Sequence, residues 1–163
     1  MSKDYIGDVF SVLISSERLK RLLWYRPENM LTETPDPLSS ILPNISDDEE
    51  LNWRVIEDRI LRNSKTDDLV DNEKCRIYLY LGSRDRTDNM SIASQKIIID
   101  LFWHDIFDED NRSELVEKEL RRLLVGKRIT GIGKMKYYDG GLINAPKNYQ
   151  GYRHVYEVGS FKK

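Results

Sequence analysis

Two stretches, CRIYLYLG at 75–82 and QKIIIDLFWH at 95–104, restrict the fold more than anything else in the chain. Both are rich in β-branched and aromatic residues. Both alternate with a period of two, the spacing of a strand with two unlike faces. One face carries Cys75, Ile77, Leu79 and Leu81, answered by Ile97, Ile99, Leu101 and Trp103. It is wholly apolar and predicts one side of a core. The other face carries Arg76, Tyr78 and Tyr80 against Ile98, Asp100, Phe102 and His104. A mixed face of this kind meets something, either the N-terminal helices or another subunit. Asp100 is expected to pair across the hairpin with Arg76.

The apolar face needs a cover, and DEDNRSELVEKELRRLLVG at 108–126 supplies one. Val116, Leu120, Leu123 and Leu124 form a helical stripe, with Asp108 or Asp110 as N-cap and Gly126 as the stop. KRITGIGKMKYY and YRHVYEVGSF read as two more strands joined by DGGLINAPKNYQG. Residues 82–94 read as a long polar hairpin loop. The order β-β-α-β-β predicts an α+β fold: a mostly antiparallel four-stranded sheet with a helix on one face, preceded by N-terminal helices.

Residues 4–25 carry helical periodicity, Ile6 to Ile14 and then Leu19, Leu22 and Leu23, with a break at Ser15 or Ser16. Residues 26–46 hold four of the five prolines and read as a long connection. A short helical turn is expected at Asp36-Pro37, and 27–43 would serve as an arm. Ser46 with Glu49 fits a capping box for a helix to about Arg62, followed by a polar loop. The organisation expected is 1–74 as N-terminal helices, Pro-rich arm and acidic helix, and 75–163 as an α+β core, all in one compact domain.

The chemistry available is limited. A single cysteine, Cys75, excludes a disulfide framework within one chain and a thiolate metal site, and it falls in the apolar alternation. Two histidines, His104 and His154, cannot build a histidine-rich site. The acidic burst after the second strand invites a metal-dependent nuclease using Asp100, Asp108 or Glu109. Each acid also has a structural use, as an ion pair or as negative charge opening a helix. GKRITGIGK has the GxxxxG spacing but Ile132 and Gly133 stand where a phosphate loop needs Lys and Ser/Thr. No GxSxG elbow occurs. The sequence therefore predicts no catalytic residue, no metal and no cofactor. It shows neither a signal peptide nor a membrane span, which predicts a soluble chain made in the cytoplasm.

Net charge is −2, which does not mark a nucleic-acid binder, but the charge is uneven. Residues 44–74 hold ten acids against five bases, and residues 112–136 hold eight bases against three acids. Patches of opposite sign on one chain suit a heterologous contact between copies, which closes into a ring. Surface pairs are individually weak, so apolar anchors would carry the contact and charge would set its register. Trp24, Trp53 and Tyr80 are the candidate anchors; Arg121, Arg122, Lys134 and Lys136 are the candidate cations.

The N-terminal helix, the hairpin with its polar loop, the helix ending in LLVGKRITGIG and the late strand resemble the small head–tail connector, neck and tail-terminator proteins of tailed phages. The resemblance covers about residues 75–161 in element order, plus the first helix. It implies a non-enzymatic virion subunit in a homo-oligomeric ring, commonly a hexamer, between the portal complex and the tail tube. Its partners would be itself and neighbouring neck, portal-adaptor or tail-tube proteins, with no membrane and passing contact with DNA in the lumen. The hairpin loop, with Arg84, Asp85, Arg86 and Asp88, would face the lumen or the next ring. The Pro-rich arm and acidic helix depart from that pattern. Two other readings stand beside it: the small nuclease, and a monomeric adaptor that binds a host protein through residues 26–74.

Overall fold

The computed structural model describes residues 4–161. Helix α1 (Tyr5–Ile14) begins at Asp4, whose carboxylate accepts from Gly7 N, and α2 (Glu17–Trp24) begins at Ser16, whose hydroxyl accepts from Leu19 N. These caps satisfy orphan N–H groups and place the break between the helices where the sequence predicts it. Helix α3 (Glu49–Arg59) follows the proline-rich segment. The sheet consists of β1 (Ile60–Leu61), β2 (Cys75–Arg86), β3 (Ile92–His104), β4 (Ile132–Ile143) and β5 (Tyr149–Phe161), with helix α4 (Arg112–Leu124) between β3 and β4.

The strand order is β1-β2-β3-β5-β4. The sheet thus has five strands, not the four expected. The extra one, β1, pairs parallel to β2 at Ile60↔Ile77 and Leu61↔Tyr78, so the sheet is mixed. Two residues at the end of a helix carry no periodicity, so nothing in the sequence marks them as a strand. The expectation of an α+β fold with antiparallel pairing through β2, β3, β5 and β4 stands.

The core forms where the alternation puts it. Cys75, Ile77, Leu79, Ile97, Ile99, Leu101 and Trp103 pack with Val116, Leu120 and Leu124 of α4. Val9 and Leu13 of α1, and Leu19, Leu22 and Leu23 of α2, join the same cluster. The N-terminal helices therefore cover the first face of the sheet. Leu123 packs at the edge of the cluster. Leu81 is largely exposed because it lies beyond the helical cover.

Several boundaries differ from the sequence reading. The segment 82–94 is mostly strand: β2 runs to Arg86 and β3 starts at Ile92. Both faces are solvated from Ser83 to Ser91, so the residues there are polar and read as loop. The strand β4 reaches Ile143 for the same reason, and starts only at Ile132. Asp48, not Ser46, caps α3, its side chain accepting from Leu51 N; the helix ends at Arg59 because Ile60 enters the sheet. No helix forms at Asp36-Pro37, where the chain makes a turn. Asn111, at φ 55°, precedes α4 without a side-chain cap bond. Asp108 instead accepts from Trp103 Nε1 at 2.8 Å, and Asp110 pairs with Arg112 at 2.8 Å. Gly126 follows the helix at φ +77°, as a stop residue does. Gly131, at φ +66°, has no room for a Cβ, which would stand 2.5 Å from Gly159 O.

Candidate functional site

The second face of the sheet is only half covered. At one end Leu69, on the 3-10 turn Asp67–Leu69, packs against Tyr78, Phe102 and Tyr149. This lid is held by Arg76, whose side chain is 1 % exposed. Its guanidinium donates to Asp58 O at 2.7 Å, to Asp58 Oδ1 at 3.0 Å and to Asp68 Oδ1 and Oδ2 at 2.7 and 3.0 Å. Asp68 is held below the usual aspartate range, chiefly by the Arg76 hydrogen bonds.

The expected Arg76–Asp100 pair does not form. The register sets Phe102 opposite Arg76 and Tyr78 opposite Asp100. Asp100 lies opposite Arg153 on its other side, and Arg153 Nε donates to its carboxylate at 2.8 Å. Tyr80 Oη donates to the same carboxylate. The pairing of β3 with β5 could not be read from a hairpin pattern alone. Beside this triad lies an open cleft of about 640 Å³, lined in part by Tyr78, Tyr80, Phe102, Arg153 and Leu142. Leu142 is 79 % exposed at its edge.

The acids of the nuclease reading are not brought together. Asp100 is bound as described; Asp108 accepts from Trp103 and from Gln150 Nε2 at 2.6 Å; Glu109 is exposed. Among the described residues, no group of three or more His, Cys, Asp or Glu could hold a metal ion. His104 Nδ1 accepts from Ile106 N at 3.2 Å, and its ring meets Tyr149 edge-on at 5.3 Å. Cys75 is buried, and burial pushes its thiol up to about 12, far from a reactive thiolate.

The candidate interface residues fall into two groups. Trp24 is half-buried under the Arg59 guanidinium, 4.6 Å from its ring, and Tyr80 is engaged with Asp100; Trp53 is exposed on α3. Arg121 and Arg122 are both occupied within α4, by Glu117 and by Glu119. Glu119 is itself buried and also accepts from Ser16 Oγ at 2.7 Å. Lys134 and Lys136, with Lys127 and Arg128, are exposed and make no ion pair among the described residues. In the hairpin, Arg84 donates to Gln95 at 3.0 Å and Asp85 lies 3.6 Å from Lys96, both on strand positions. Arg86 ends β2, and only Asp88 of the four lies in the turn; both are exposed.

The proline-rich segment folds back onto α2. Arg21 donates to the carbonyls of Pro37, Ser39 and Leu42 at 2.9–3.2 Å and to Asn44 Oδ1 at 2.7 Å. Its apolar tip, Met30 and Leu31, remains outside, with Leu31 96 % exposed.

Fold and site together define an α+β protein with a half-open sheet face, internal charge tethers and no metal-ligating cluster among its described residues. The chain belongs to the YomW family, whose profile matches residues 16–158. It is similar to the SPbeta prophage-derived uncharacterized protein YomW of Bacillus subtilis (strain 168), 29% identical over 168 residues and covering 99% of each chain. A chain from the virion of a native gene transfer agent particle overlaps 66% of this chain and 81% of its own length. Its TM-score is 0.44 at 13% identity, a likeness too loose to bear on function. No helix among the described residues is long and apolar enough to cross a membrane.

Proposed function

We propose that this chain is a non-enzymatic structural subunit of a phage or phage-like particle and assembles as a homo-oligomeric ring at the head–tail junction. The observation that carries the reading is the end-to-end match to a prophage-derived protein. The half-open sheet face, the exposed Met30–Leu31 tip and the projecting β2–β3 hairpin are surfaces that assembly would cover. Asp100 and Asp108, two of the three carboxylates with nuclease potential, are spent on internal contacts, which favours a part that works by being held in place. Neighbouring neck, portal-adaptor or tail-tube proteins would be its partners, and the virion its location.

Charge sets the register of the ring contact in this reading. Reversing Arg121 and Arg122 is a poor test, because Arg122→Glu would set a second carboxylate against buried Glu119. Lys136 lies opposite Glu157 across β4 and β5, where a carboxylate would repel it, but Lys127 and Lys134 are exposed and carry no such duty. The test is the double variant Lys127→Glu, Lys134→Glu, followed by light scattering and electron microscopy of the purified protein. The expected result is a ring at low salt for the unsubstituted protein, weakened both by added salt and by the double reversal. A monomer at high concentration, with no ring in micrographs, refutes the ring; a ring indifferent to salt and to both reversals refutes its electrostatic register.

A further inference from the structure

Between α4 and the β4–β5 hairpin lies a second cleft, of about 260 Å³. Tyr137, Tyr152 and His154 line one side, with Leu101 and Ser113 also facing it; Glu114, Glu117 and Arg121 of α4 stand on the other. The aromatic side is arranged as a shallow cage. The Tyr152 and His154 rings are 4.8 Å apart and tilted by 40°, and Tyr137 meets His154 at 6.2 Å. His154 is 3% exposed, and its Nδ1 has no hydrogen-bond partner among the described residues. A buried polar atom left in this state asks for a partner that the described residues do not supply.

The walls select the chemistry of that partner. Aromatic faces attract cations, and two carboxylates one helical turn apart add to the attraction. An anion would face Glu114 and Glu117. An apolar group would strip water from both carboxylates and return nothing to them. Arg121 shows which group does fit: its guanidinium stands 5.3 Å from the Tyr137 ring centre and bonds to Glu117. More than half of that side chain is exposed, so the contact is held weakly and can be exchanged.

We propose that this cleft is a receptor for a guanidinium or ammonium group on a slender stem, and that Arg121 is its intramolecular stand-in, displaced when the true occupant arrives. The stem would lie along Tyr137 and Tyr152 and the charged head against Glu114 and Glu117. The proposal does not rest on the ring reading.

The two histidines make the test simple, since protein labelled with ¹³C at histidine gives one ring signal from His154 and one from His104, which meets Tyr149 edge-on and does not line the cleft. The probe is N-acetyl-arginine amide, with N-acetyl-glutamine amide as its neutral counterpart. In the Arg121→Gln protein the arginine amide is expected to move the His154 signal saturably while His104 stays fixed, at a Kd at least tenfold below that of the unsubstituted protein. Adding Glu117→Gln should abolish the shift, and the glutamine amide should produce none. If Arg121→Gln does not fold, the unsubstituted protein at tenfold higher probe concentration carries the same test. A His154 signal that does not move, that moves together with His104, or that moves equally with the neutral amide overturns the proposal. A dilution series without probe separates the sources. Movement of His154 alone on concentrating the protein identifies a side chain of a second copy, and its absence in a protein that binds the probe identifies a free amine.

Discussion

Replacing Arg76 with Met isolates the tether that closes half of the second sheet face. The stem of Met fills part of the space, so the change removes charge and hydrogen bonds more than volume. Four hydrogen bonds to Asp58 and Asp68 and one to Tyr78 Oη are lost. Breaking a fully buried pair costs about 3–5 kcal/mol, most of it from the charge left behind. Here both partners are cushioned. Asp58 keeps Lys74 and Arg59, each at 2.7 Å, and the Asp68 side chain is 59% exposed and can hydrate. The loss should therefore fall at the low end, ~3 kcal/mol, which for a chain of this size lowers the melting temperature by roughly 6–12 °C.

Urea unfolding at neutral pH, fitted with a common slope, measures the loss. Hydrogen exchange locates it. The amides of Leu69 and Asn72, which bond to Thr66 O and Leu69 O, should lose protection while those of β3 keep theirs relative to the global limit. The pH dependence adds a sign. Because the Arg76 bonds hold Asp68 below its ordinary value, this stabilisation is present above that value and fades as acid protonates the carboxylate. The two proteins should therefore approach each other in stability as the pH falls. A loss under about 1 kcal/mol would show that the buried guanidinium is not what secures the lid. Uniform loss of protection across the sheet would show that the lid does not open as a unit.

Leu120→Ala removes a fully buried side chain between α4 and the sheet and should cost ~2–5 kcal/mol in the same urea assay; a loss under half a kcal/mol would contradict its place in the core. His154 offers a second acid response. Burial holds its imidazole down to about 4, with Glu117 opposing that shift and Arg121 reinforcing it, so the unfolded chain takes up a proton between its ordinary value of 6.5 and 4 that the folded chain refuses. Stability should fall across that window in the unsubstituted protein and fall less in His154→Phe, and the labelled ring signal should titrate near 4; titration at 6 or above would contradict its burial.

How much of this was legible in the sequence depends on where the controlling partner lies. The apolar faces of β2, β3 and α4 were readable because each is set by local spacing, and burial follows spacing when one side faces a core. Arg76 and Asp100 show the limit. Their alternation put them on the correct face, but their partners come from positions 58, 68 and 153, and only three-dimensional register brings those near. The outer half of the hairpin is wet on both sides, so Arg84, Asp85 and Arg86 obey no apolar period although they pair with Gln95, Ser94 and Ala93 beyond a register shift after Leu81. Arg121 and Arg122 are basic in any reading of the sequence, yet Glu117 and Glu119 pair with them along the helix. The aromatic cleft carries no such signal because Tyr137 comes from β4 while Tyr152 and His154 come from β5, with the carboxylates supplied by α4, and only the pairing of the strands under the helix brings them together.

The position of β5 imposes an order of events on the growing chain. It comes last of the five strands, but it lies between β3 and β4. Until residues 149–161 have left the ribosome, β4 has no ladder to join and β3 presents a bare edge along Ile97–Trp103, the stickiest run in the protein. A chain cut short before Tyr149 is therefore more than a slightly smaller protein: it is missing an interior seam, and the fragment should seek other chains to close it. Quality control is in effect written into the topology, since a product lacking β5 cannot pass as a folded one.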